Sequence, residues 1–142
     1  MVTLKVTEKQ LHLIQTSLDF YNRIGIGQFN MIKDHPTFEK HLHEEFKVDG
    51  VTDYVRYHEV RGNIDCILTQ PRNMLYNDHS IGTNGNWGIF NPKVDESCRE
   101  AFDIIQVIRH EFWKRDENRS GITVDSSVHL HCEDSDKIKV KL

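Results

Sequence analysis

Ile81-Gly82-Thr83-Asn84-Gly85-Asn86-Trp87-Gly88-Ile89-Phe90-Asn91-Pro92 leads into the longest helical pattern of the chain, Ser97 to Arg115. Three glycines at three-residue spacing, interleaved with amides and bracketing Trp87, describe a backbone that another group can approach closely. Glycine tolerates positive φ and leaves main-chain N–H groups uncovered, which suits turns and anion cradles alike. In the helix behind, Ala101, Ile105, Ile108 and Phe112 recur at i, i+4, i+7 and i+11, with Arg109 and His110 set among them. By composition alone the stretch reads as a surface turn feeding a core helix. By residue type it also outlines a small-anion site: a polar, glycine-loosened loop beside a rigid helix that carries cations.

Working outward, 142 residues bound the protein to one domain with a core of modest size. Hydrophobic residues make up 37% and mean hydropathy is -0.58, so a partner subunit is an expected way to complete the core. A net charge of -4 excludes general binding to DNA or RNA polymers, which requires a basic surface. A few placed arginines facing a small phosphate ligand remain compatible with that charge. The N-terminus carries no basic leader with an apolar run, and nothing approaches the roughly 18 apolar residues of a membrane span. Three cysteines (Cys66, Cys98 and Cys132) with no CxxC spacing read as reduced thiols in a cytosol.

Upstream of the loop, Val2, Leu4 and Val6 alternate with Thr3, Lys5 and Thr7, a strand pattern. Thr7-Glu8-Lys9-Gln10 has capping-box form. Leu11, Ile14, Leu18 and Tyr21 then make one helical face, ending at Gly25. Arg23-Ile24-Gly25-Ile26-Gly27-Gln28 is a second glycine-bearing segment, read either as a helix-to-loop junction or as a phosphate contact. Asp34-His35-Pro36-Thr37 opens a further helix that Asp49-Gly50 terminates. Residues 53–60 fit helix or strand equally. Arg61-Gly62-Asn63 is turn-like, Ile64 to Thr69 reads as a short buried segment, and Gln70-Pro71-Arg72-Asn73 breaks it. Asn86 to Phe90 has a strand-like alternation ended by Pro92. Past Arg115, Ile122 with Val124, Val128 with Leu130, and Ile138, Val140 and Leu142 suggest closing strands, the last lysine-coated. The expected fold is therefore α+β: small antiparallel sheet or sheets with two long amphipathic helices, one ligand-binding domain over residues 1–142.

No nucleophile elbow, P-loop or zincin helix occurs, so no catalytic residues and no cofactor are expected. His129-Leu130-His131-Cys132 and His41-Leu42-His43-Glu44 are histidine clusters, but one His-x-His supplies two of the three or four ligands a zinc site needs. Ligand binding is better supported. Arg23, Arg56, Arg61, Arg72 and Arg109 are spread through the chain. Arg suits bidentate phosphate contacts and stacks on rings. Tyr54, Tyr57, Tyr76, Trp87 and Phe90 supply stacking faces, while Gln28, Asn84, Asn86 and Asn91 can read a base edge.

Several segments in order carry a resemblance. They are Gln10-Leu11-His12-Leu13-Ile14-Gln15 running into Asp19 to Phe29, then Glu59-Val60-Arg61-Gly62-Asn63-Ile64, Asn86-Trp87-Gly88-Ile89-Phe90, Gln106-Val107-Ile108-Arg109-His110 and Val124-Asp125-Ser126-Ser127. Together they resemble the phage-encoded Thoeris anti-defence sponge proteins of the first type. The resemblance implies a protein that sequesters a cyclic ADP-ribose isomer made by TIR-domain enzymes, without cleaving it, in the cytoplasm of the infected bacterial host. It implies a homodimer, with some members forming hexamers from three dimers and holding cyclic oligonucleotides at separate sites. Carried onto this chain, it assigns the ADP-ribose pocket to Asn86, Trp87, Phe90, Asn91 and Arg109, with Arg56 or Arg61 on the phosphates. It assigns a second ligand site to Arg23, Gly25, Gly27 and Gln28. The residues leave two other functions open: a metal-dependent hydrolase or nuclease using the histidines, and a phage host-takeover protein acting by protein–protein binding.

Overall fold

The computed structural model describes residues 4–77, 79, 82 and 85–115. The strands expected within 122–130 and 138–142 and the histidine cluster at 129–132 lie outside the described residues, as do Ile81, Thr83 and Asn84 of the glycine loop. The described chain is mostly helical, with one two-stranded antiparallel sheet. It is more helical than expected, with three long helices where two were anticipated. Two compact units divide it: Met1–Ile26 together with Gly88–Leu142, and Gly27–Trp87.

The first unit is built on two antiparallel helices, α1 (Glu8–Gly25) and α4 (Glu96–Arg115). Thr7 caps α1 through the expected capping box: its side chain accepts from the Gln10 N–H, and the Gln10 side chain accepts from the Thr7 N–H at 2.8 Å. Residues 4–7, expected to end a strand, are irregular, and Leu4 is 73% exposed. No strand among the described residues pairs with them, and an unpaired strand leaves its backbone groups to water.

The two helices meet along their length. Glu8 lies by Arg115, His12 stacks on Phe112 with centroids 4.0 Å apart, and Tyr21 hydrogen-bonds Ser97 at 2.7 Å. Cys98 fills the space where a Cβ on Gly25 would stand. The helix ends at Gly25 as expected, with Ile26 one residue on as its C-cap, and Gly25 is in addition a packing glycine. Ala101, Ile105 and Ile108 are buried at the expected spacing, and so are Asp103, Gln106 and Val107 on other faces of the same helix. A helix buried this far round is the central element of its unit. Asp95, just ahead of the helix, caps it, because its carboxylate accepts from both the Ser97 N–H and the Ser97 hydroxyl.

The second unit runs through a 3-10 helix (Phe29–Asp34), α2 (Pro36–Glu45), a hairpin of β1 (Lys47–Val48) and β2 (Val51–Thr52), and α3 (Tyr54–Tyr76). In the hairpin, Asp49 (φ 51) and Gly50 (φ 80) are both left-handed, the two-residue turn that matches strand twist. The largest correction is α3. The turn at 61–63, the separate segment at 64–69 and the break at 70–73 are one continuous helix of 23 residues. Asp53 caps it, accepting from the Arg56 N–H, and Tyr57 and Arg72 are its buried residues. Packing overrides the local signals, since Gly62 and Pro71 both lie on exposed positions where the helix tolerates their cost. Likewise 86–90 is irregular instead of a strand, held by turns such as Asn91 N–H to the Gly88 carbonyl at 3.2 Å.

Polar contacts fix α3 against the 3-10 helix. Lys33, only 8% exposed, pairs with Asp65, and the next residue, Asp34, pairs with Arg61 one turn earlier on α3. Two adjacent residues of opposite charge meeting two of opposite charge at i and i+4 admit one register only.

Two tests follow from these elements. Pro71→Ala restores a backbone donor inside α3 without filling buried space. It should stabilise the fold by about 2 kcal/mol once the proline's stiffening of the unfolded chain is offset, seen as a higher urea midpoint; an unchanged midpoint would speak against a continuous α3. At the start of α4, the Ser97 hydroxyl first, and then the Ser97 N–H, hold the Asp95 carboxyl below the usual carboxylate range. A depressed folded-state pKa gives stability that is complete above the unfolded value, about 3.9, and is lost as pH falls below it. Thermal melting at pH 6 and pH 3 should therefore show a larger acid loss in the parent than in Asp95→Asn, which keeps an acceptor that does not titrate.

Candidate functional site

The glycine loop is anchored from below by a residue of α3. Arg72 is 1% exposed and donates through Nη1 to the Gly82 carbonyl at 3.0 Å and the Gly85 carbonyl at 3.4 Å. Its Nε and Nη2 both donate to Asn73 Oδ1, at 3.1 and 2.8 Å, which fixes the plane of the guanidinium. Gly85 N–H also bonds the Gly82 carbonyl at 2.9 Å.

One turn further along α3, Tyr76 packs on Trp87 with centroids 4.0 Å apart. The indole also lies on the backbone of Gly27, where a Cβ would overlap ring carbons. Gly27 is itself left-handed, with φ 89. The two glycine-bearing segments singled out in the sequence thus meet here, as a bare stretch of main chain under a tryptophan. Arg72 and Tyr76 are the residues that sequence reasoning underused. Their i, i+4 spacing is the signal, and the apparent break at Pro71 hides it.

Each remaining candidate has its own setting. In the second unit, Arg61 is committed internally: it pairs with Asp34, lies 3.8 Å from Glu39, and donates to the Tyr57 hydroxyl at 3.0 Å. Burial disfavours its charge, yet Asp34 and Tyr57 outweigh that and raise its pKa. Arg56 is exposed, with its guanidinium 5.4 Å from the centroid of Phe46. Tyr54, Tyr57, His43 and His58 form a cluster of rings, with His43 stacked on Tyr57 at 4.5 Å. Gln28 is half-buried before the 3-10 helix, and Asn86 is exposed beside Trp87. Of the residues assigned to phosphate contact, Arg56 is therefore the one whose charge no carboxylate among the described residues offsets.

In the first unit, Arg23 pairs with Asp19 at 2.7 Å on α1, and Arg109 is half-buried on α4. Phe90 is 62% exposed, while Asn91 Oδ1 accepts from the Lys93 N–H at 2.9 Å, an Asx turn that shapes the entry to α4. Burial first, and then the Asp95 carboxylate, push the Cys98 thiol up, so it is a packing group with little thiolate character. Among the described residues no group of three or more His, Cys, Asp or Glu side chains could hold a metal ion, His41 and His43 included. No described helix is long and apolar enough to cross a membrane.

The described part of the loop thus sets two glycine carbonyls on a buried guanidinium, beside an indole packed against Tyr76 and Gly27. Comparison with family models, curated proteins and solved structures gives no match.

Gly27→Ala tests the seat of the indole. An added methyl meets both an unfavourable φ and the ring, so unfolding stability should fall by about 2 kcal/mol or more. In a Trp113→Phe background, Trp87 emission should shift to the red. Unchanged emission and stability would show that the indole does not rest on this glycine.

Proposed function

We propose that the protein binds and sequesters a cyclic ADP-ribose-type immune signal without cleaving it. In this reading it acts as a homodimer or larger homo-oligomer in the cytoplasm of a phage-infected bacterium. The observation that carries the proposal is the glycine loop closed over Arg72 and abutting Trp87. A cyclic ADP-ribose presents a pyrophosphate and a purine. The first calls for fixed positive charge and backbone dipoles, and the second for a ring face and amides. In this reading the loop supplies the charge and backbone, Asn86 an exposed amide, and the resemblance adds Phe90, an exposed ring, with Asn91 and Arg109, and with Arg56 on the phosphates. Arg61, already neutralised by Asp34, contributes less than Arg56 in this reading.

Function by sequestration asks for tight, preorganised binding and no general base. In that sense the Gly82 and Gly85 carbonyls and the Trp87 indole are held in place by α3.

A second reading, protein–protein binding, is favoured by one separate observation. Ile67 (66%), Met74 (78%) and Leu75 (72%) are exposed on α3. In the same unit, an open apolar groove of about 240 Å³ lies between Ile32, Phe38, His41, Leu42, Ile64 and Leu68. Light scattering distinguishes a face covered by a second copy from one that takes a host protein.

Calorimetric titration with the cyclic ADP-ribose signal decides the first reading. Heat at micromolar ligand, followed by recovery of the unaltered compound, is expected. Arg109→Ala should weaken binding about tenfold or more, as expected for loss of a charged hydrogen bond. No heat from the parent protein, or recovery of a cleaved product, would sink the proposal.

A further inference from the structure

One side of α3 repeats with the period of a helix-pairing seam. Val60, Ile64, Ile67, Pro71 and Met74 recur at alternating steps of four and three residues, a mean of about 3.5, which keeps a stripe turned toward a second helix. The stripe runs about 21 Å along the helix axis. Val60 and Ile64 are half-buried, while Ile67, Pro71 and Met74 are exposed. Beside the stripe, Leu68 lines the apolar groove together with Ile64, and Leu75, one heptad further on, is exposed. Groove and ridge are therefore displaced along one helix, with the bare ridge toward its C-terminal end.

Charge decides what covers the stripe. Between residues 62 and 76, α3 carries two charged side chains, Asp65 and Arg72. Asp65 pairs with Lys33 and Arg72 is buried, so every exposed residue of these turns is uncharged, in a chain whose residues are 28% charged. The stripe is flanked by Asn63 and Gln70 on one side and by Leu68 and Leu75 on the other. Flanking charges are what select a helix of different sequence as partner. A two-fold pair instead sets like flank against like flank, where a charge would face its own copy. Amides carry donor and acceptor together, and so match their own kind.

We infer that α3 is the pairing face for a second copy of this chain, docked antiparallel along residues 60–75. The inference rests on the homo-oligomer part of the reading above and names the face it uses. Its antiparallel sense follows from the displacement of groove and ridge. A two-fold axis perpendicular to α3 brings Ile67 of each copy onto Ile64 and the groove of the other. Parallel helices would set Met74 on Met74 and leave both grooves empty. The antiparallel arrangement also places Asn63 of each copy opposite Gln70 of the other. A stripe of this length is short for a stable pair, which buries about 800 Å² on each partner. The groove supplies further area, since Phe38, His41 and Leu42 form its other wall.

Paired charges at positions 63 and 70 test the face and its direction, because these positions lie about 10 Å apart along one helix and do not meet within it. The variants are Asn63→Glu with Gln70→Glu, Asn63→Lys with Gln70→Lys, and Asn63→Glu with Gln70→Lys. Light scattering gives the mass and sedimentation equilibrium the association constant, while far-UV circular dichroism checks that the helices persist. The parent is expected to have the mass of two 16.7 kDa chains, or of an even number of them. Both like-charged variants should associate about tenfold more weakly or worse, and the opposite-charged variant should associate at least as tightly as the parent. A monomeric parent overturns the inference together with the homo-oligomer reading. A parent that assembles while all three variants match it overturns the face and leaves that reading standing. An opposite-charged variant that dissociates like the other two overturns the antiparallel register. Titration of the parent with cyclic ADP-ribose reads sequestration separately from assembly, so the two failures are distinguishable.

Discussion

The contact on which the second unit depends is that of Trp87 with the bare backbone of Gly27. These residues are the first and last of that unit, so the indole ties together two chain ends that are far apart in sequence. Closing a loop of that length costs entropy that grows only slowly with its size, so one large aromatic contact contributes substantially to offsetting it. The contact works only because residue 27 lacks a Cβ and can take a left-handed φ. Tyr76 also packs on the ring, so α3 and the start of the unit contact the same side chain.

Within that closure the second unit is held as much by polar groups as by a hydrophobic core. Tyr57 and Gly27 are buried, and so are Lys33 and Arg72. Partly buried ion pairs add little net stability over apolar packing, but they fix one arrangement, because a slipped register would leave each charge without its partner. Lys33 with Asp65, and Asp34 with Arg61, work in this way for the 3-10 helix on α3. The first unit is organised differently. Its central helix α4 is buried around much of its circumference by Ala101, Ile105, Ile108, Asp103, Gln106 and Val107, and its ends are set by Asp95 and by the cations of the last turn.

This division of labour bears on function. A helix of 23 residues brings Arg72 to the Gly82 and Gly85 carbonyls and Tyr76 to Trp87. The same helix commits Arg61 to an internal ion pair while Arg56 keeps its charge at the surface. Residues of one type in one helix are thereby sorted into framework and candidate contact by burial and by the nearest carboxylate.

What the sequence by itself determined was local. The Thr7 capping box, the proline at the start of α2 and the spacing of Ala101, Ile105 and Ile108 are legible because each depends on residues within a few positions of one another. Only the tertiary structure decided that Gly62 and Pro71 lie inside one helix, since the packing of Tyr57, Leu68 and Arg72 outweighs two local breaking signals. Only the tertiary structure, too, decided that the glycine of one flagged segment is the seat for the tryptophan of the other. Sixty residues separate them, and no local pattern specifies a contact whose cause is the absence of a side chain at one end and the size of a side chain at the other.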